Sequence, residues 1–422
     1  MENNLEKIIV KQSPPLSGRV RISGAKNAAL PILAASILST EDVILEDVPE
    51  LKDVEIMCEV LKSLGVSVEK KDKNTLILNG KNLNSYTTDY NLMSKMRASF
   101  LVMGPLLGRL NKTVNSLPGG CNIGSRPIDL HLKGFKLLGA EIIEDLASIS
   151  ASCKELVGSR IYLDFPSVGA TENIMMAACL AKGETYIENA AMEPEIVDLS
   201  NFLRKLGANV TGAGTSTIRI KGVEKLGGAK HQIIPDRIEA GTFMVASAMT
   251  GGDILVENVI PSHMKPVIAK LIECGAKVFE DDDSVRVISG SCQKAIDIKT
   301  MPYPGFPTDM QAQFMALMTR LEGKSQVLET VFENRFMHAD ELCKLGADIV
   351  CLDRKATVSG SSQLKGARVR ATDLRAGAAL ILAGLVAEGE TEIYDIFHID
   401  RGYEDIESKF RSLGAHIERV KE

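Results

Sequence analysis

One eleven-residue stretch holds the residues best suited to covalent chemistry: Leu117-Pro118-Gly119-Gly120-Cys121-Asn122-Ile123-Gly124-Ser125-Arg126-Pro127. Its glycines favour a turn-rich loop with exposed backbone N–H groups. Those dipoles, together with Arg126, favour the thiolate of Cys121. A thiol poised near neutral pH can give up a proton or attack carbon, although on composition alone a plain loop cysteine explains it equally well. Lys26-Asn27, inside Ser23-Gly24-Ala25-Lys26-Asn27-Ala28, opens a helical pattern. A lysine beside helix N–H groups suits a phosphate; the spacing is not that of a Walker loop, and taken singly the lysine reads as a surface residue. Asp309, in Phe306-Pro307-Thr308-Asp309-Met310, stands where another helix begins. A carboxylate there can cap the helix or accept a proton. Arg97, Arg335, Arg375 and Arg401 lie near helix starts or strand–helix links. Gathered in one cleft they form an anion trap; dispersed they are surface charges.

The elements that must position these residues recur along the chain. The pattern Leu-Gly-small-x-aliphatic appears six times, with its glycine at Gly65, Gly139, Gly207, Gly275, Gly346 and Gly414; Cys274 replaces the leucine in the fourth copy. The glycines are spaced by 74, 68, 68, 71 and 68 residues, which marks an internal repeat. Before each glycine, apolar residues such as Leu199, Phe202, Leu203 and Leu206 recur at helical spacing. The glycine then supplies a left-handed cap and the chain turns into a strand. Each unit reads as helix, strand, helix, strand, strand, so the class is α/β. From the strand end to the glycine five copies span 17 to 19 residues, whereas Asn115 to Gly139 spans 24. The extra residues fall in the Cys121 loop, and an insertion in one copy of six implies a purpose beyond the scaffold.

The sixth copy ends early, at Glu422, and Gly18 to Ile22 resembles Ala367 to Ala371. Both termini are therefore expected in one domain. One domain spans residues 23–234, with copies one to three and the Cys121 loop; the other is discontinuous, 1–22 plus 235–422. Two adjacent crossings, near Ser23 to Asn27 and Ile234 to Gly241, predict a hinge and a ligand cleft between domains.

The bulk properties exclude several classes. A chain of 422 residues is too long for one ordinary core. A net charge of −6 lacks the basic surplus of a nucleic-acid binder. The N-terminus has no signal-peptide pattern. The most apolar run, Ala28 to Leu38, is too short to span a bilayer and contains Pro31. Eight cysteines without a CxxC pair, and six scattered histidines, argue against zinc and fit the reducing cytoplasm. The seven cysteines other than Cys121 read as core residues. No oligomeric state is specified.

Ser23 to Ala28, Pro118 to Pro127, Thr308-Asp309-Met310-Gln311-Ala312-Gln313, Phe332-Glu333-Asn334-Arg335-Phe336 and Asp400-Arg401-Gly402-Tyr403 closely resemble the enolpyruvyl transferase family, in the branch that uses UDP-N-acetylglucosamine at the opening of peptidoglycan precursor synthesis. The resemblance covers essentially the whole chain. It implies a two-domain inside-out α/β barrel of six βαβαββ-type repeats, three per domain. It implies that Lys26 and Asn27 contact phosphoenolpyruvate, and that Arg126 and Arg401 join Lys26 at its phosphate. Arg97, Arg126, Pro127, Ile128, Asp129 and Leu130 are expected to line the sugar-nucleotide site, with Ser167, Val168 and Gly169 near the uridine. Asp309 and Val331 are expected on the sugar side, with Arg335, Asp373 and Arg375 in the same cleft. Phe165-Pro166 departs from members that carry a basic residue before Ser167. The implied chemistry makes Asp309 the base for the sugar hydroxyl and Cys121 the acid toward C3 of phosphoenolpyruvate, with no metal and no organic cofactor. The partners are small-molecule substrates, without nucleic acid or membrane. Three rivals remain. One is 5-enolpyruvylshikimate-3-phosphate synthase, which lacks the Pro-Gly-Gly-Cys loop. The others are a non-catalytic UDP-sugar-binding regulator and a repeat scaffold for protein partners.

Overall fold

A computed structural model describes residues 6–117, 119, 124, 128–290 and 293–421. The described residues divide into two compact units, one built from 6–23, 124, 235–290 and 293–421, the other from 24–117, 119 and 128–234. The third copy shows the building block in full. Strand Arg160–Tyr162 leads to helix Val168–Ala178, strand Glu184–Glu188, helix Pro194–Lys205, and strands Asn209–Thr211 and Thr217–Lys221. Glu184–Glu188 pairs in parallel with Arg160–Tyr162 and antiparallel with Thr217–Lys221, whose other edge takes Asn209–Thr211 antiparallel. Five such four-stranded sheets and one three-stranded sheet occur among the described residues. The small one belongs to the second copy, where the opening strand is reduced to a bridge between Thr87 and Val114.

The two helices of each copy differ in kind. Helix Val168–Ala178 is buried along nearly its whole surface, as are Arg237–Thr250, Gln311–Met318 and Leu374–Val386. Their Ala, Gly, Met and Leu residues let helices approach closely, and the polar residues enclosed with them, such as Glu172, Asn173, Gln313 and Arg375, are few against that apolar background. The second helix of each copy is amphipathic: Lys52–Ser63 buries Val54, Met57, Val60 and Leu61 and exposes its lysines and glutamates. All six repeat glycines follow such helices with φ between 94° and 106°. In each copy the N–H after the glycine returns to a carbonyl five residues back, as in Val66 to Leu61 (3.0 Å) and Ala208 to Leu203 (2.9 Å). This is a Schellman cap, which satisfies last-turn carbonyls and aims the chain into the next strand.

Strands from distant parts of the chain complete both units. Glu6–Lys11 lies antiparallel between Glu390–Tyr394 and His416–Lys421, so it completes the truncated sixth copy. Ser17–Arg21, which overlaps the run Gly18 to Ile22 that the sequence likens to Ala367 to Ala371, does the equivalent job in a different sheet. It runs parallel to Asp253–Glu257 in the fourth copy, as Arg368–Arg370 runs parallel to Glu390–Tyr394 in the sixth. In the other unit Ala229–Gln232 pairs in parallel with Asp42–Glu46.

The reading of seven core cysteines needs correction. Cys179 and Cys274 are buried and Cys58 partly so, but Cys343 and Cys351 are exposed. Helix Met337–Lys344 turns His338, Ala339 and Leu342 inward, which leaves Cys343 on its outer flank. Cys351 lies on the open face of strand Asp348–Leu352. Partial burial, with Asp340 and neighbouring groups, raises the Cys351 thiol to about 11, so it stays protonated. Cys292 lies outside the described residues.

Candidate active site

The expected site residues collect at the starts of the buried helices, beyond the ends of the strands that lead into them. That is the usual place for ligands in α/β architectures, because helix N–H groups and strand-end loops converge there. Two clusters result, one in each unit.

In the unit with the C-terminal copies, Asp309 sits in the short turn Thr308–Met310 ahead of helix Gln311–Met318. Its two carboxylate oxygens are shared out. Oδ1 accepts from Arg335 Nη2 at 3.0 Å and Oδ2 from Arg375 Nη2 at 3.0 Å. The arginine side chains are almost completely enclosed, at 4% and 2% exposure, while Asp309 keeps 26% of its side chain open. Two enclosed cations therefore hold one partly open carboxylate in a single orientation. Burial alone would lower the pKa of Arg375, but Asp309, Tyr403 and Asp236 outweigh it and hold the guanidinium charged. Arg375 Nε and Nη1 meet no acceptor among the described residues, and the guanidinium faces the Tyr403 ring at 5.5 Å. Buried donors of this kind are rare unless a ligand or water completes them.

Asp373 has a structural task. Its Oδ1 accepts from the N–H groups of Arg375 (2.8 Å) and Ala376 (3.1 Å), which caps helix Leu374–Val386 and sets the start from which Arg375 projects. Val331 lies in the loop after strand Lys324–Leu328, its N–H bonded to Glu329 at 2.8 Å. Arg401 ends the turn Ile396–Arg401. Its neighbour Asp400 receives both Nη atoms of Arg419, the Oδ2 contact at 3.0 Å. His338, absent from the sequence reading, is enclosed near Arg335 and Asp373. Burial lowers its pKa to about 4; Arg335 adds to this and Asp373 opposes it.

In the unit with the N-terminal copies, Lys26 is the first residue of helix Lys26–Ala35 and is 8% exposed. Its Nζ lies 3.4 Å from Asp53 Oδ2, in the first turn of helix Lys52–Ser63. A lysine this enclosed needs a counter-charge, and Asp53 was not foreseen from the sequence. Asn27 is half-buried beside it, and Arg97, also half-buried, opens the turn Arg97–Val102.

Ser167 Oγ accepts from Ala170 N at 3.3 Å and caps helix Val168–Ala178. A side chain at Gly169 would meet His131 Cε1 at 3.2 Å, so the helix start lies directly against His131. His131 belongs to helix Asp129–Leu137, whose beginning holds Ile128, Asp129 and Leu130. The Ser167–Gly169 and Ile128–Leu130 segments are thus side by side. Asn173, fully buried, fixes them: its Nδ2 lies 3.0 Å from His131 Nδ1 and 3.1 Å from the Phe100 carbonyl, and its Oδ1 accepts from Gly104 N at 2.7 Å. On the same helix Glu172 is pushed well above the carboxylate range by burial, with Glu195 and Glu193 adding to the effect. Cys121, Arg126 and Pro127 lie outside the described residues.

Six helix–sheet repeats, with charged residues at the starts of the buried helices, define the enolpyruvyl transferase class. The chain belongs to that family: the profile of EPSP synthase (3-phosphoshikimate 1-carboxyvinyltransferase) matches residues 10–410. Within it, the chain is 64% identical over 420 residues, 99% of each chain, to UDP-N-acetylglucosamine 1-carboxyvinyltransferase of Finegoldia magna. It is 60% identical over 418 residues to UDP-N-acetylglucosamine 1-carboxyvinyltransferase 1 of Caldanaerobacter subterraneus subsp. tengcongensis, covering 98% of this chain and 99% of that one. Among solved structures, the enolpyruvyl transferase NikO from Streptomyces tendae superposes with a TM-score of 0.89 at 24% identity, covering 99% of this chain and all of that one. EPSP synthase from Acinetobacter baumannii gives 0.76 at 19% identity, with the same coverage. At these identities the two structures establish the shared fold.

Proposed function

We propose that this chain transfers the enolpyruvyl group of phosphoenolpyruvate to the 3′-hydroxyl of UDP-N-acetylglucosamine and releases phosphate, the first committed step of peptidoglycan precursor synthesis. The observation that carries the reading is the 64% identity over almost the full length of a relative with that name. The geometry around Asp309 supports it. The hydroxyl oxygen bonds to C2 of phosphoenolpyruvate, C3 gains a proton, and a tetrahedral ketal forms. C3 then loses a proton, the bond from C2 to the phosphate oxygen breaks, and the double bond returns.

Asp309 takes the hydroxyl proton; Arg335 and Arg375 hold its carboxylate toward the acceptor. Cys121 delivers the proton to C3. Lys26, Arg126 and Arg401 balance the charge of the departing phosphate. The Ile128–Leu130 and Ser167–Gly169 segments, held together through His131 and Asn173, receive the nucleotide. Both helix starts offer backbone N–H groups, which suit its diphosphate and uracil oxygens. No helix among the described residues is long and apolar enough to cross a membrane, and the free thiols support a reducing, cytoplasmic setting.

Mass spectrometry of the products tests the reading. Incubation with both substrates should yield a carboxyvinyl-bearing UDP-sugar and phosphate in equal amounts. A carboxyvinyl group found only on shikimate 3-phosphate, when that acceptor is also supplied, would move the chain to the neighbouring activity of its family.

A further inference from the structure

We infer that Glu329 is a positioning residue for the acceptor side of this reaction, tying the turn that carries Asp309 to the loop that carries Val331 and Arg335. The inference rests on the function proposed above. It starts from a difference between repeats. In four copies the residue that follows the central strand is a short Asp or Asn with left-handed backbone: Asp47 (φ 54°), Asn189 (55°), Asn258 (58°) and Asp395 (59°). Each uses its side chain for one task, a bond to the end of the neighbouring parallel strand. Asn189 Nδ2 donates to the Leu163 carbonyl at 2.7 Å, and Asn258 Nδ2 to the Ile22 carbonyl at 2.7 Å. Asp47 Oδ2 accepts from Gln232 Nε2 at 2.8 Å, and Asp395 Oδ2 from Arg370 Nη1 at 3.0 Å.

In the fifth copy the place is taken by Glu329, which is fully buried and does not adopt the left-handed backbone. It keeps the scaffold bond: Oε1 accepts from the Thr300 hydroxyl, just past strand Ile298–Lys299, at 2.8 Å. Three further donors converge on the same carboxylate. Val331 N and Phe332 N reach Oε1 at 2.8 and 3.1 Å, and the Thr308 hydroxyl reaches Oε2 at 2.9 Å. Thr308 precedes Asp309, while Phe332 begins the segment that ends in Arg335, the partner of Asp309. One carboxylate therefore stands at the root of both arms of the Asp309–Arg335 pair. Strand tying needs only Asp or Asn, as four copies show. A buried carboxylate is a costlier choice, tolerable because four donors satisfy it. What the longer side chain adds is a fixed distance between the two arms, and a proton acceptor misplaced by an ångström loses much of its effect.

Three variants test this against a purely structural role. Glu329→Asp is one methylene too short to serve both arms. Thr308→Val removes only the donor on the Asp309 side and guards against a Glu329 variant that fails to fold. Glu329→Gln keeps an amide oxygen for Thr300, Val331 and Phe332 and an amide that the Thr308 hydroxyl can accept from. Steady-state kinetics on both substrates, calorimetric binding of UDP-N-acetylglucosamine, and thermal melting are read together. The expected result for Glu329→Asp and Thr308→Val is a fall of about tenfold or more in kcat with a rise of similar size in KM and Kd for the UDP-sugar, the effect of losing a charge-assisted hydrogen bond and misplacing the proton acceptor, with KM for phosphoenolpyruvate nearly unchanged. Glu329→Gln should recover most of the sugar affinity. Equal changes in both KM values, or a lowered melting temperature with unchanged sugar binding, would overturn the inference. A wild-type protein that neither binds nor turns over the UDP-sugar would instead overturn the proposed function.

Discussion

Asp309 is the residue on which the proposed chemistry turns, and its surroundings set what a substitution does. Arg335 and Arg375 each spend one Nη2 on it at 3.0 Å. Asp309→Asn keeps the shape and one acceptor oxygen but removes the proton acceptor and leaves two enclosed guanidinium groups without their counter-charge. We expect kcat to fall by about 10²- to 10⁴-fold, the range for loss of a general base. The melting temperature should fall as well, because a broken buried ion pair leaves unpaired charge. A kinetic assay with a parallel melt checks both, and near-normal kcat would remove Asp309 from the proton path. Part of this site was legible in the sequence. Asp309 stands out within its motif, but Arg375 lies 66 residues away, and nothing local announces that pairing. Asp53, the partner of Lys26, was missed for the same reason. Glu329 left a trace, a Glu where four other copies have Asp or Asn, visible only once the copies are set side by side at the strand end.

At the scale of elements, the six glycine caps make the most exposed physical claim. Gly207 has φ 104°, and a Cβ there would meet nothing within 4 Å. Gly207→Ala therefore isolates backbone strain from crowding. It should cost about 1–2 kcal/mol in urea unfolding, the penalty for forcing an L-residue into a positive φ, with KM and kcat unchanged. A neutral effect on stability would contradict the cap. These caps, and the order of strands and helices, could be read from the sequence because each is a local signal repeated at a constant step. Exposure could not be read so well: Cys343 and Cys351 fall in apolar stretches yet face outward, since a pattern of period 3.6 or 2 tells which residues share a face but not how far the covering layer extends. Asp373, expected in the cleft, also caps a helix through Oδ1, a role that its position one residue before Leu374 already allowed.

At the scale of the whole molecule, buried ionisable groups tie stability to pH. His338 in the unfolded chain titrates near 6.5, while burial first, and Arg335 second, hold it at about 4 in the folded protein. Below pH 6.5 the unfolded chain therefore binds a proton that the folded one refuses, so stability falls as the pH drops from 6.5 toward 4. The melting temperature should decline across that window, and His338→Gln should flatten the decline; an identical slope in the variant would assign it to other groups. Strand order also belongs to this scale. The sequence showed that the sixth copy is truncated and that the N-terminus belongs with it. It did not show that Glu6–Lys11 would complete that copy while Ser17–Arg21 joined the fourth, because pairing partners depend on which sheet edge is open after the other strands have docked.

The choice of acceptor is the claim that matters most, and phosphate release tests it directly. Phosphoenolpyruvate is supplied with UDP-N-acetylglucosamine in one reaction and with shikimate 3-phosphate in another, each repeated after alkylation of the thiols. The account predicts release with the UDP-sugar alone, abolished by alkylation in wild type, with UDP-sugar present during alkylation slowing that loss. Release with shikimate 3-phosphate, or release from the UDP-sugar reaction that survives complete alkylation of Cys121, would contradict it.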